Sequence, residues 1–417
     1  MSVSLALSKF FLRDFKCGVI LFIVRLDLKK LLLLSGGVME QEVVQTTLTG
    51  TVEAIDDLFK RLKKQPDSYS CIIFFASTSV DFKELQTAIH EHFPKAEVIG
   101  ATTSGEITSQ GFKTNTVVLN AISDSKTFFK AVLVDEANKF PIISKQKIID
   151  AARKVDINLS SADIHKNSFA ISLICGLKNI EEGFLSMFYS LVYDKEFLIC
   201  GGTAGDDLKF KATYVSANGE CSDSGAVLLF VKTERQFQII KENIFQKSGK
   251  SVRLTDVHHE THVVRSIDNE NPQVRYAQVL GIPKSQANDA ILDHPFGRTF
   301  GDNVFIASLV SFDNNGILTT YARVIQDSVQ EILEPMDPLK ITEESCQKVT
   351  KLIPKPSCVI LFNCILRTIG FDRKKLQDPV NAIWKQYFPT YSGFSTYGEQ
   401  FGHINSNQTL VALVIGE

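Results

Sequence analysis

The chain has 417 residues, with 45 Lys and Arg against 47 Asp and Glu and a formal net charge of −2. Hydrophobic residues make up 44% and include 30 Phe, which excludes an intrinsically disordered chain. The near-neutral charge argues against a nucleic-acid binder that depends on bulk positive charge. At about 150 residues per domain, the length indicates two or three domains.

The first 38 residues differ in character from the rest. Residues 17–24 (CGVILFIV) are apolar, but this run is too short for a membrane-spanning helix, which needs about 20 apolar residues. Six Lys or Arg and two acids make the segment basic. Three interpretations stay open: a mis-assigned start with translation beginning at Met39, an accessory helix at a membrane surface or partner, and a signal or anchor segment.

The cysteines show no metal-binding pattern. There are eight, and no Cys-x-x-Cys pair occurs among them, so a zinc ribbon is not expected. Most of them lie in or beside apolar, strand-like runs. We therefore expect buried free thiols in a reducing cytoplasm.

Three copies of one unit follow in chain order, each with the order strand, helix, strand, turn, strand. The first copy begins with the apolar strand CIIFFAS, and its helix carries apolar residues at three- and four-residue spacing. The repetition predicts a mixed α/β (α+β) fold, in which strand–helix–strand–strand units form mixed sheets flanked by helices. The predicted elements are 71–77, 81–93, 97–107 and 115–122 in the first copy; 168–175, 179–192, 197–207 and 226–232 in the second; and 358–367, 379–388, 391–402 and 409–416 in the third.

A glycine motif stands at the same place in each copy: glycine, Thr or Ser, then a second glycine followed by an acid. Its members are Gly100, Thr102, Gly105 and Glu106; Gly201, Thr203, Gly205 and Asp206; and Gly393, Ser395, Gly398 and Glu399. Glycine allows close backbone approach, and a neighbouring hydroxyl can bond a local N–H group. Two interpretations stay open: the turns only shape a sheet edge, or they converge on a ligand cleft. A phosphate loop is not indicated, because the terminal acid would repel phosphate.

At these motifs the sequence resembles the FIST family, a sensory domain of bacterial signal-transduction proteins that also occurs in some eukaryotic F-box proteins. The similar segments are VIGATTSGEI (98–107), ICGGTAGDD (199–207), ILFNCILR (360–367) and GFSTYGEQFG (393–402). Arg323 matches a position that is usually basic in the family. The chain is interpreted as two linked parts, and because clefts between domains favour ligands we expect a cleft where the glycine turns of the two parts meet. The predicted segments are an atypical extension at 1–38, a FIST N-terminal part at 39–250 and a FIST C-terminal part at 251–417.

The resemblance implies a cytoplasmic sensor that binds a small polar ligand, such as an amino acid or a related metabolite. A stand-alone sensor with a separate signalling output protein is expected, because no output module is recognised in the chain. No cofactor is implied, nucleic acid is not expected as a partner, and membrane contact is expected only through residues 1–38. The candidate ligand-binding residues are Thr102, Thr103, Gly105, Glu106, Gly205, Asp206, Arg323, Cys364, Arg367, Ser395, Tyr397 and Glu399.

A histidine cluster raises the question of a metal site. His258, His259 and His262 lie in strand-like sequence, where His258 and His262 would share one face. The cluster lacks the Glu of a His-Glu-x-x-His motif, and no metal site is predicted.

Arg367 follows Cys364 within an apolar run that reads as a strand. A basic group there needs an acidic partner, which could be Glu106, Glu399 or a ligand carboxylate. A nearby Arg could also make the thiol of Cys364 reactive, although the sequence favours simple packing of this residue at a strand end.

Two alternative functions stay open beside the sensor. The protein could be an interaction scaffold that docks through its basic N-terminal segment. It could also be a hydrolase or transferase that uses Asp206, Glu399 and Cys364. No Gly-x-Ser-x-Gly elbow occurs, which argues against an α/β-hydrolase, and the sequence favours a protein without catalysis.

Overall fold

The first two copies of the repeat form two α/β units with the same order of elements. These are seen in a computed structural model that describes residues 37–136, 141–258, 261–300 and 303–417. Unit 1 consists of β1 (Glu40–Thr46), α1 (Thr51–Arg61), β2 (Cys71–Ala76), α2 (Phe82–His92), β3 (Glu97–Thr102), β4 (Glu106–Thr108), β5 (Gly111–Lys113) and β6 (Val117–Ser123). Unit 2 consists of β7 (Thr127–Val134), α3 (Pro141–Lys154), β8 (Ser168–Ile174), α4 (Glu181–Tyr189), β9 (Ile199–Thr203), β10 (Val215–Ala217), β11 (Glu220–Ser222) and β12 (Ala226–Thr233).

The third unit has the same order, but a separate subdomain is inserted after its first strand. Unit 3 begins with β13 (Phe237–Asn243). The insertion contains β14 (Phe245–His258), β15 (Val263–Ile267), α5 (Pro272–Leu280), α6 (Ala287–Ala290), β16 (Phe296–Phe300), β17 (Asn303–Ala307), β18 (Leu309–Phe312), β19 (Leu318–Thr320) and β20 (Val329–Pro335). Unit 3 then continues with α7 (Pro338–Leu352), β21 (Pro356–Cys364), α8 (Ile365–Arg373), α9 (Gln377–Tyr387), β22 (Ser392–Thr396), β23 (Glu399–Phe401), β24 (Ile404–Ser406) and β25 (Thr409–Gly416).

Each unit completes the sheet of another unit with a short hairpin. The sheet orders are β1-β6-β2-β3-β10-β11, β7-β12-β8-β9-β23-β24 and β13-β25-β21-β22-β4-β5. Unit 1 therefore receives the hairpin of unit 2, unit 2 receives that of unit 3, and unit 3 receives that of unit 1. The three exchanges close a ring.

The glycine-motif turns meet at the centre of this ring and bond to one another. Ser395 N donates to Gly105 O at 2.7 Å, which joins units 3 and 1. Gly205 N donates to Thr102 O at 3.0 Å, and Thr203 N donates to Gly398 O at 2.7 Å, which join the other two pairs of units. The turns thus satisfy one another's backbone groups, as buried N–H and C=O groups require.

The core lies between the three sheets. In β2, Cys71, Ile73 and Phe75 face the central cluster, whereas Ile72 and Phe74 pack under the helices of unit 1. This follows from the alternation of side chains along a strand, and both faces of the strand are buried. The predicted mixed α/β fold is confirmed.

Three local predictions need correction or limits. The strand predicted at 358–367 ends at Cys364, and Ile365–Arg373 is a helix, because a short apolar run cannot distinguish a strand from a buried helix. His258 ends β14, and His262 precedes β15 with a φ of 55°, so the two do not share one strand face. The interpretations of residues 1–38 fall almost wholly outside the described residues.

The insertion forms a seven-stranded sheet of its own, with the order β17-β16-β20-β14-β15-β19-β18. Its turn between β18 and β19 has Gly316 at a φ of 76°, as the Asn-Asn-Gly sequence predicts. The predicted boundary between residues 250 and 251 falls within β14. In the part of the chain that the structure describes, no helix combines the length and apolarity needed to cross a membrane.

Candidate functional site

A cavity of about 270 Å³ lies where unit 2, unit 3 and the insertion meet. Its volume is near the lower end of the roughly 300–1,000 Å³ that small-molecule sites occupy. The lining residues are Gly176, Leu177, Asn179, Glu181, Glu182, Leu208, Phe210, His262, Tyr321, Ala322, Arg323, Ile365, Leu366, Ile369, Tyr397, Asn405 and Asn407. We call this space the junction cavity.

Glu181 brings an acid to the wall of the junction cavity. It is the first residue of α4, where a carboxylate interacts favourably with the helix dipole. The nearby hydroxyl of Thr203, in the glycine motif of unit 2, favours the charged form and lowers the pKa of this carboxyl group. Burial nevertheless raises the pKa of Glu181 to about 7. The carboxyl group is therefore able to bind a cation as a carboxylate or to donate a hydrogen bond as an acid near neutral pH.

Tyr397 and the loop after β9 form an aromatic wall. The Tyr397 hydroxyl donates to Asp206 Oδ1 at 2.7 Å, and the N–H group of Phe210 donates to the same carboxylate oxygen at 3.0 Å. The ring of Phe210 stacks on that of Tyr397, with centroids 5.6 Å apart and an interplanar angle of 18°. Asp206 therefore does not line the cavity itself. Its carboxylate holds Tyr397 and Phe210, which do line it.

The insertion contributes the basic side of the junction cavity. Arg323 lies between β19 and β20, is exposed, and makes no ion pair within the described residues. His262 Nδ1 lies 3.1 Å from the carbonyl oxygen of Tyr321, which ties the two together at the rim. On the opposite side α8 presents Ile365 and Ile369. The cavity thus combines an acid, an unpaired guanidinium group and an apolar surface.

Most of the other predicted site residues are structural in their contacts. Glu106 accepts hydrogen bonds from the hydroxyls of Thr103 and Thr116, and Glu399 accepts from those of Thr396 and Thr409. Both carboxyl groups are buried in the ring of turns, and burial raises the pKa of each to about 8. Each carboxyl group therefore binds a proton more readily in the folded protein than in water.

These two carboxyls should make stability fall as pH rises. Their folded-state pKa values of about 8 exceed the ordinary value of 4.5, so the folded protein binds more protons between these limits. Each carboxyl then lowers the free energy of unfolding by at most about 1.4 kcal/mol per pH unit. Chemical denaturation at pH 6, 7, 8 and 9 should show this decrease, and the Glu106→Gln/Glu399→Gln double variant should flatten it. An unchanged slope in the double variant would contradict the assignment.

Arg367 is paired inside the protein and does not face the junction cavity. Its guanidinium donates to Glu242 and, through Nε, to Asn363 Oδ1 at 3.0 Å, and its side chain is fully buried. The partner is Glu242 of β13, and not Glu106 or Glu399. Cys364 is also buried, and burial raises the pKa of its thiol.

The remaining candidates lie in the turns. Thr102 Oγ1 accepts from Tyr214 N at 2.9 Å, and the hydroxyls of Ser395 and Thr368 lie 2.8 Å apart. Of the twelve residues predicted from the sequence, Arg323 and Tyr397 line the junction cavity, and Asp206 supports it. The others surround the ring of turns.

The corresponding junction between units 1 and 2 is filled by side chains. There the Asp207 carboxylate accepts from Ser77 Oγ at 3.0 Å and Thr78 N at 2.8 Å, and Lys209 Nζ donates to Thr78 Oγ1 at 2.6 Å. At the junction of units 2 and 3, the second residue after the strand is Gly176, where a Cβ would lie 2.3 Å from the carbonyl oxygen of Ala204. Gly176 thus allows a close approach of the backbone at this junction, and a residue with a side chain there would require Ala204 to move.

Sequence reasoning missed the acid of the site. Asn179 and Glu181 stand in the segment NIEE, where acids at a helix start are commonly explained by the helix dipole alone. Asn405 and Asn407 follow the third glycine motif and also line the cavity. In the described ranges, no group of three or more His, Cys, Asp or Glu side chains could hold a metal ion.

Comparison with known proteins assigns the family. The FIST N domain model matches residues 70–270, and the FIST C domain model matches residues 274–402. A search of curated proteins gave no match. Among solved structures, a chorismatase crystal structure aligns with 91% of this chain and 99% of its own, at 8% identity and a TM-score of 0.35. The chain belongs to the FIST family, whose domains are sensory domains of signal-transduction proteins.

Proposed function

We propose that the protein is an intracellular sensor that binds a small dipolar ligand, an amino acid or a close relative, in the junction cavity. The observation that carries the proposal is the presence of Glu181 and Arg323 on the wall of one small cavity. A carboxylate there suits an ammonium group, and a guanidinium group suits a carboxylate. The free cysteines of the described residues support a reducing compartment.

The apolar wall supports a ligand with a hydrophobic side chain. Leu177, Ile365, Leu366 and Ile369 line the cavity beside the charged groups. Burial of an apolar group contributes about 25 cal/mol per Å² removed from water. The polar groups then orient the ligand, and the apolar wall supplies much of the affinity.

The position of the cavity suits signalling. The ligand would contact unit 2, unit 3 and the insertion at the same time. A ligand that binds one arrangement of these bodies more tightly shifts the population toward it. A separate signalling output protein would then recognise that arrangement.

Thermal unfolding in the presence of each natural L-amino acid tests the proposal. At least one amino acid should raise the melting temperature by a few degrees, because ligand at a hundredfold excess over Kd adds about 2.7 kcal/mol. Glu181→Gln and Arg323→Gln should each abolish the shift, since each removes one charged partner of the ligand.

Two matched variants serve as controls. Glu84 occupies the first turn of α2, the helix in unit 1 that corresponds to α4, and Arg265 is exposed on the insertion. Neither lines the junction cavity, so Glu84→Gln and Arg265→Gln should retain the full shift. If no amino acid stabilises the protein, or if Arg323→Gln keeps the wild-type ligand profile, the proposal is wrong.

A further inference from the structure

A second, larger cavity of about 720 Å³ adjoins the junction cavity. We call it the basic groove. Glu182, Ala322, Arg323 and Asn405 line both spaces, so they form the partition between them. Arg323 thus lines both the junction cavity and the basic groove.

The charges that line the basic groove are mainly positive. Lys195 comes from unit 2, Arg298 and Arg323 come from the insertion, and Glu182 is the acid among the lining residues. His403 adds a further nitrogen donor from unit 3, where its ring packs edge-on against Tyr189 at 5.9 Å. Basic groups from three different bodies therefore converge on one groove.

The guanidinium groups of the basic groove have no acidic partner in the described part of the chain. Elsewhere Arg235 pairs with Asp124 at 2.6 Å, and Arg275 pairs with Asp268 at 2.8 Å. Arg298, on β16 opposite Phe305, and Arg323 make no such pair. A guanidinium fork matches the two oxygens of a carboxylate or phosphate, so two unpaired forks along a groove favour an anionic ligand.

We propose that the basic groove binds a separate anionic group of the ligand whose ammonium group lies in the junction cavity. This inference rests on the proposed function and makes it more specific. The ligand is an amino acid or a close relative with its ammonium group at Glu181 and a carboxylate or phosphate that reaches the space between Arg298 and Arg323. A short peptide with a free C-terminus and a phosphorylated amino acid share this chemistry.

Isothermal titration calorimetry on the full chain tests the inference with matched ligand pairs. The dipeptide Leu-Leu and its C-terminal amide differ by the terminal charge, and phosphoserine and serine differ by the phosphate. In the pair whose anion the groove accepts, the charged member should bind at least about tenfold more tightly, as expected for charge-assisted hydrogen bonds. The two pairs distinguish a carboxylate from a phosphate.

The Arg298→Gln variant should reduce that preference to about threefold or less, whereas Arg265→Gln should retain it. Arg298 is exposed, so the variant should keep the wild-type melting temperature without ligand. If the charged and uncharged members bind equally, or if Arg298→Gln keeps the preference, the inference is wrong even where single amino acids bind. If no amino acid, dipeptide or phosphoserine binds, both the inference and the proposed function fail.

Discussion

A single methyl group at Gly201 should prevent stable folding of unit 2. An ideal Cβ there would lie 2.1 Å from the carbonyl oxygen of Ser172 and 2.2 Å from its hydroxyl. Ser172 and Gly201 are partners in the parallel pair β8–β9, where the backbone is held on both sides. We expect Gly201→Ala to lower the free energy of unfolding by about 3 kcal/mol or more, because overpacking against backbone cannot be relieved by a rotamer change.

The same substitution at Gly183 provides a matched control. Gly183 is an exposed residue of α4 in the same unit, and a Cβ there meets nothing within 4 Å. Gly183→Ala should therefore stabilise the protein by about 0.5–1 kcal/mol through helix propensity. Soluble yield and the midpoint of chemical denaturation measure both effects. If the two variants were equally stable, the close contact between Gly201 on β9 and Ser172 on β8 would be contradicted.

Among substitutions of charged residues in the described structure, we expect Arg367→Met to lower the free energy of unfolding the most. Its guanidinium and the carboxylate of Glu242 are fully buried, so Arg367→Met leaves an unpaired charge in the core. Breaking a buried pair in this way costs about 3–5 kcal/mol. The Arg367→Met/Glu242→Gln double variant should recover part of that loss, because it removes the buried charge.

Lys374→Met is the control for this prediction. Lys374 Nζ lies 2.7 Å from Asp293 Oδ1 in an exposed pair, so its loss should cost no more than about 1 kcal/mol. Urea denaturation of the four proteins measures these differences. A ligand-binding role for Arg367 would give the opposite pattern: normal stability with a changed ligand profile.

The order of elements in each unit could be predicted from the sequence, because strand and helix periods are local properties. The apolar run of β2, the helical spacing that follows it and the glycine motifs were sufficient for the mixed α/β fold and for the FIST resemblance, and both are confirmed. The exchange of hairpins could not be predicted. The hairpin strands, such as Glu106–Thr108, are three residues long, and the choice of their partner depends on contacts nearly 300 residues away.

The candidate site was predicted in part. Arg323 and Tyr397 face the junction cavity, whereas Arg367 has a partner on a strand that is 125 positions away in the sequence. An ion pair between residues so far apart in the chain cannot be predicted from the sequence alone. Glu181 was missed for a different reason: an acid at a helix start has a local explanation, so nothing in the sequence marks it as a ligand. The assignment of ligand-binding residues therefore stays a prediction until binding is measured.

The closed exchange of hairpins has a mechanical consequence. The three units form a closed cycle, in which each unit is joined to the next by hydrogen-bonded strands. A small rotation between units 2 and 3 then cannot occur alone. Because unit 1 is joined to both of them, its contacts with each must adjust as well. If the proposed function is correct, a ligand bound between units 2 and 3 would therefore also change the contacts that unit 1 makes with both of them.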